Sequence, residues 1–233
     1  MSSGVATSFP PMGEAVVLPA VSLKEGEKQR GTIIFSHGLG DSAHGWLDFA
    51  KYLQRKNEVL RGVKFVLTNA PERPVTVNRG MVMRAWYDVL RAAASASDED
   101  TEGMLASAES IRSLIAAEVR DGVEEKNIVV GGFSQYVSPP TPVERHLWHD
   151  DQLLSRVTSE SEETPILWAH GTADQAINFS RAQTGRTYLV DRVGRREGEG
   201  KGSLVWKAYE GMGHELGREE LGDVERWLEG KFA

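Results

Sequence analysis

Short runs of β-branched and aliphatic residues alternate with helix-period segments along this chain, and no other feature constrains its fold as much. The strand-like runs are Glu14–Leu18, Thr32–Ser36, Lys64–Thr68, Asn127–Gly131, Pro165–Ala169 and Ser203–Tyr209. The helical segments are His44–Arg55, Met104–Arg120, Ser180–Val193 and Arg218–Gly230. Such alternation builds a mostly parallel sheet covered on both faces, so the expected class is α/β with a doubly wound sheet. The helix over 104–120 is the most strongly periodic. Leu105, Ala108, Ile111, Leu114 and Ile115 recur at three- and four-residue steps, and Gly122 suits the left-handed position that closes a helix. The charged, glycine-containing stretches Ser97–Glu102 and Gly194–Gly202 read as solvated loops.

A length of 233 residues fits a single domain spanning 1–233. The net charge of −7 argues against nucleic acid or an anionic membrane as the main partner. The chain has no cysteine, which excludes disulfides, thiolate catalysis, thiolate metal sites and acylation of its own thiols. Its first residues, Met1–Ser8, lack the basic start and apolar run of a signal peptide. No stretch approaches the roughly 18 apolar residues of a membrane span, so stable membrane insertion is not expected. A cytoplasmic setting is expected, and the nucleus is compatible with the same features.

Chemistry enters at Gly132-Phe133-Ser134. A serine just past a strand, with a glycine two positions before it, has the pattern of a nucleophile elbow, in which the hydroxyl is held on a sharp turn at the strand end. Asp174 follows the apolar run Pro165–Ala169, and His214 follows the loop after Ser203–Tyr209. The order Ser, Asp, His, each just past a strand, is that of α/β-hydrolases. In such a triad His214 takes the proton from Ser134, and Asp174 orients the imidazole and stabilises its charged form. Taken singly, these are also an ordinary surface serine, a turn aspartate and a loop histidine. Their joint order and placement carry the weight.

An oxyanion hole needs two backbone N–H groups aimed where negative charge develops. One comes from the residue after the nucleophile, here Gln135. The other comes from a glycine-rich loop after an early strand, and His37-Gly38-Leu39-Gly40-Asp41 after Thr32–Ser36 offers the Leu39 N–H. An ordinary glycine turn is the alternative for that loop.

These segments, taken together, resemble the acyl-protein thioesterases and related small carboxylesterases of the α/β-hydrolase superfamily. The resemblance rests on His37–Ser42 with Trp46, on Asn69–Thr76, and on Asn78, Gly80, Met81 and Ala85-Trp86-Tyr87-Asp88. It continues through Gly132-Phe133-Ser134-Gln135, His170-Gly171-Thr172-Ala173-Asp174 and Tyr209–Glu215, covering roughly 30–135 and 164–232. It implies a triad of Ser134, Asp174 and His214, with Leu39 and Gln135 lining the oxyanion hole. It also implies a cytosolic enzyme without metal or other cofactor. The substrates implied are S-acylated proteins, which lose their fatty acyl groups, and lysophospholipids or small esters; the oligomeric state is left open.

Past Gln135 the pattern changes. Tyr136 stands where the elbow has its second glycine, and Pro139, Pro140 and Pro142 follow where a helix would continue. An interior proline costs a helix about 3 kcal/mol, so no helix is expected there. Residues 136–163 contain no strand-like run and a single short helical stretch near 150–157. They are expected to form an irregular segment in place of a helix and a strand. Tyr136–His149 reads as foreign to the fold, as translated intron or an alternative exon would be. Three readings follow: an active hydrolase, a catalytically impaired relative that only binds acylated partners, or a misfolded variant product. The H-x-x-H spacing of His146 and His149 lacks a defined helix and is a weak metal signal. Trp86, Tyr87 and Met81 suit either an acyl pocket or core packing.

Overall fold

The computed structural model describes residues 9–21, 28–90, 100–135 and 164–233. The chain divides into two compact units. The first is formed by the described residues of Met1–Tyr52 and Gly62–Val137, the second by those of Leu53–Arg61 and Ser138–Ala233.

The first unit carries a four-stranded sheet in the order β1 (Gly13–Leu18), β3 (Val63–Asn69), β2 (Gly31–Ser36), β6 (Ile128–Gly132). Strand β1 runs antiparallel to β3, whereas β3, β2 and β6 are parallel. The two inner strands are buried nearly throughout, with Ile33, Ile34, Phe65 and Leu67 in the core, because a parallel sheet is covered on both faces. The polar residues within them are paired. Thr32 donates to Glu118 at 2.6 Å, and the Ser36 and Thr68 hydroxyls bond at 2.9 Å. Helix α3 (Thr101–Arg120) lies over this sheet, where Ile111 joins a core of Ile34, Val66, Ala70 and Trp86.

Asp100 caps α3 by accepting from Gly103 N–H, so the helix starts at Thr101. Thr101 and Glu102, expected in a loop, belong to its first turn. Gly122 follows the helix at φ 95°, the positive backbone angle expected of it. The expected helix over 44–55 is a 3-10 turn at Ala43–Trp46 followed by α1 (Leu47–Lys56), whose later turns pass into the second unit. A hairpin of β4 (Glu72–Val75) and β5 (Met81–Arg84) has no counterpart among the expected strands. Pro74 within β4 argues against a strand in sequence, yet a two-stranded edge tolerates it.

The second unit contains α2 (Glu58–Arg61) and a parallel sheet ordered β7 (Ile166–Gly171), β9 (Ser203–Tyr209), β8 (Arg196–Glu197). Helices α4 (Phe179–Asp191) and α5 (Arg218–Phe232) complete it. Trp168 and Trp206 stand edge to face at 5.1 Å on neighbouring strands. The short β8 lies inside Gly194–Gly202, which was expected to be loop throughout. The fold is α/β with mostly parallel strands. The irregular segment expected over 136–163, its short helix and its His146/His149 pair all lie outside the described residues.

Candidate active site

Strands β2 and β6 pair with Ser36 opposite Gly132, so the chain leaves both strand ends side by side. Phe133 N–H donates to Ser36 O at 3.1 Å, carrying the pairing one residue further. Ser134 follows at φ 62°, in the left-handed region that non-glycine residues avoid. That conformation costs about 1–3 kcal/mol and survives only where neighbours impose it. Gly38 is one such neighbour. A Cβ built on it would lie 3.0 Å from Ser134 Cβ and 3.5 Å from Ser134 Oγ, so the backbone of the Gly38–Leu39 loop lies against Ser134. The loop is held in turn by Gly40 N–H, which donates to Arg84 O at 2.8 Å with Gly40 at φ 75°.

His37 braces the same loop. Ala70 N–H donates to His37 Nε2 at 3.1 Å, which leaves the proton on Nδ1 to be donated to Gly38 O at 2.6 Å. Burial pushes the His37 pKa below the usual imidazole value and outweighs the Gly38 bond, so the ring is neutral.

In the second unit β7 and β9 pair with Gly171 opposite Tyr209, and their following loops interlock. Thr172 N–H donates to Tyr209 O at 2.9 Å and Ala173 N–H to Met212 O at 3.0 Å. Only glycine fits at 171: a Cβ there would meet Met212 O and lie 2.7 Å from Gly213 O. The interlock brings Asp174 and His214 together. His214 Nδ1 lies 2.8 Å from Asp174 Oδ2, while Asp174 Oδ1 accepts from Ala176 N–H and Ile177 N–H, each at 2.8 Å.

Asp174 is 8% exposed. Burial by itself would raise its pKa, but the His214 bond and the two backbone N–H groups together prevail, and the carboxyl sits below its ordinary value. An ionised Asp174 keeps the His214 proton on Nδ1, which makes Nε2 the basic nitrogen. His170 stands behind this pair, its Nε2 2.8 Å from Ile177 O and 3.6 Å from Asp174 Oδ2. The arrangement suits a general base oriented by a buried carboxylate.

Residues 19–136 match the model of the phospholipase/carboxylesterase family. Acyl-protein thioesterase 1 of Yarrowia lipolytica is 36% identical, across 91% of this chain and 96% of that protein. Acyl-protein thioesterase 1 of Cryptococcus neoformans var. neoformans is 33% identical, across 87% and 92%. This chain belongs to the phospholipase/carboxylesterase family.

Solved structures agree with that membership. Arabidopsis thaliana SOBER1 superposes with a TM-score of 0.72 at 26% identity, covering 87% of this chain and 99% of its own. Zea mays acyl-protein thioesterase 2 shares the fold, with a TM-score of 0.67 at 24% identity over 95% of this chain and all of its own. As a phospholipase/carboxylesterase family member the chain is an α/β-hydrolase.

Within this family framework, Ser134, Gln135 and the Leu39 loop fall in the first unit, and Asp174 and His214 in the second. Trp86, which suited either pocket or core, is 1% exposed and part of the core; Tyr87 packs against that core. Met81, the third such residue, is 64% exposed and lines a surface hollow with Val77, Asn78, Arg79 and Met83. Among the described residues no three His, Asp or Glu side chains group closely enough to hold a metal ion. Tyr136 and the prolines after it lie outside the described residues.

Two contributors had no sequence signal. Nothing in the sequence around His170 assigns it a role, since its place behind Asp174 depends on the turn at 174–177. The Gln135 side chain reaches Trp86 across 49 positions, a separation that no periodicity marks.

Proposed function

We propose that this chain is a serine hydrolase that removes fatty acyl groups from S-acylated proteins in the cytoplasm, with carboxylesterase and lysophospholipase-type activity on smaller substrates. The observation that carries the proposal is the Asp174–His214 bond at 2.8 Å, on a carboxylate kept ionised by two further backbone donors. Ser134, strained at φ 62° past a strand end, supports it, as do relatives named acyl-protein thioesterases.

Ser134 Oγ attacks the thioester carbonyl carbon while His214 Nε2 accepts its proton. The carbonyl oxygen becomes an oxyanion bonded by the Leu39 and Gln135 N–H groups. Collapse breaks the carbon–sulfur bond, and the His214 imidazolium returns its proton to the departing thiolate, leaving an acyl-serine. Water deprotonated by His214 then attacks the acyl-serine, releasing the fatty acid and restoring Ser134. Asp174 stays ionised throughout.

A fluorophosphonate probe tests the proposal, because it modifies only an activated serine. Wild type should be labelled, Ser134→Ala should not, and the wild type should release thiol from a palmitoyl-thioester peptide. A cooperatively melting wild type that takes no label would sink the proposal and point to a non-catalytic binder.

A further inference from the structure

The geometry points to the Gln135 carboxamide as a positioning clamp that sets the spacing between the two oxyanion donors. The inference rests on the reading above, in which the Leu39 and Gln135 N–H groups receive the oxyanion. Gln135 is 5% exposed and both ends of its side chain are bonded. Trp86 N–H donates to Oε1 at 3.0 Å, and Nε2 donates to Tyr87 O at 2.6 Å. A carboxamide held by one peptide donor and one peptide acceptor has a single orientation, and no apolar side chain reproduces it.

Trp86 links the clamp to the other donor. Its indole N–H donates to His37 O at 2.8 Å, one residue before the Gly38–Leu39 peptide. A single residue therefore bonds the elbow through its backbone and the oxyanion loop through its side chain. Trp86 is itself anchored from α3: Ser107 Oγ donates to Trp86 O, and Asp100, which caps that helix and accepts from Arg73, also accepts Asp88 N–H at 2.8 Å.

The clamp is needed because Ser134 is strained. Relaxation of its φ toward an ordinary value would swing the following peptide, and with it Gln135 N–H. The carboxamide opposes that swing from the next residue. It touches neither substrate nor Ser134 Oγ in this role; it acts through the backbone.

Gln135→Met, which keeps the bulk and removes both bonds, tests the clamp. Serines are first counted with the fluorophosphonate, and kcat is expressed per labelled site. That kcat should fall about tenfold to a hundredfold, short of the loss of a whole oxyanion donor, with KM within about twofold. The inhibition constant of a trifluoromethyl ketone, whose serine adduct carries the oxyanion, should rise by the factor by which kcat/KM falls. A merely structural role lowers the number of labelled sites but leaves kcat per site and the ketone constant unchanged, and that result overturns the inference.

Should Gln135→Met lose its cooperative melt, Gln135→Glu carries the test. Its protonated acid accepts from Trp86 and donates to Tyr87 as the amide does, so its kcat relative to wild type should climb between about pH 8 and about pH 6. A flat ratio overturns the clamp. Unlabelled wild type overturns the proposed function and this inference with it, whereas labelled wild type beside an unimpaired variant overturns the inference alone.

Discussion

Asp174 holds His214 through one carboxylate oxygen at 2.8 Å and spends the other on two backbone N–H groups of its own turn. The second set of bonds keeps the first in place. Because both peptide donors are fixed by the 174–177 turn, the carboxylate cannot rotate away from the imidazole without breaking both of those bonds as well.

Asp174→Asn should lower kcat on the order of 10⁴-fold, since an amide can no longer hold the Nδ1 proton. The expected readout is ester turnover per folded molecule, with the melting temperature as control. Turnover within about tenfold of wild type would show that Asp174 does not orient the base.

The depressed pKa of Asp174 has a signed consequence for stability. Its contribution is fully present above the unfolded value near 3.8 and is lost as pH falls through the lower folded value. The melting-temperature gap between wild type and Asp174→Asn should therefore hold steady at neutral pH and close in strong acid. A gap that closes near pH 6 would assign the effect to another group.

His37 also has a lowered folded pKa, so acid acts in the same direction at a higher pH. The unfolded chain binds the proton near 6.5 while the buried ring resists it, and stability falls as pH drops below 6.5 toward the lower folded value. His37→Asn should flatten the melting-temperature curve just below pH 6.5, and an unchanged slope there would contradict the neutral, buried ring.

Gly171→Ala should displace His214 through packing alone. The added methyl meets Met212 O and lies 2.7 Å from Gly213 O, so the loop bearing His214 has to move. Such overpacking costs about 1–3 kcal/mol, and a parallel loss in turnover is expected. Circular dichroism melts beside ester kinetics measure both, and wild-type values in each would refute the interlock.

Gly38→Ala probes the first unit. Its Cβ would lie 3.0 Å from Ser134 Cβ and 3.4 Å from Phe133 O, tighter than ordinary contact. Fluorophosphonate labelling should slow about tenfold while the fold survives, because the clash is confined to the elbow and its facing loop. Labelling at the wild-type rate would show that the loop stands off from Ser134.

Much of the fold was legible because its signals are local. The runs at Thr32–Ser36 and Ser203–Tyr209 are apolar, β-branched and flanked by turn residues, and both form strands. Helix ends were legible where a cap or a glycine marks them, as at Gly122. The β4–β5 hairpin was not, because Pro74 speaks against a strand and only the pairing with Val82 reveals one. Thr101 and Glu102 looked like loop because the Asp100 cap gains its meaning only once α3 has a sheet to lie on.

The amino-acid order by itself named the candidate reacting groups, since a serine, an aspartate and a histidine each past a strand end require no coordinates to be noticed. What only the tertiary structure decided is how those groups are held. The Gly38 backbone against Ser134, the Asp174–His214 bond and the Gln135–Trp86–His37 bonds all join residues far apart in the chain. Residue type determines what a side chain can donate or accept, whereas partners across tens of residues are selected by packing, which no local pattern encodes.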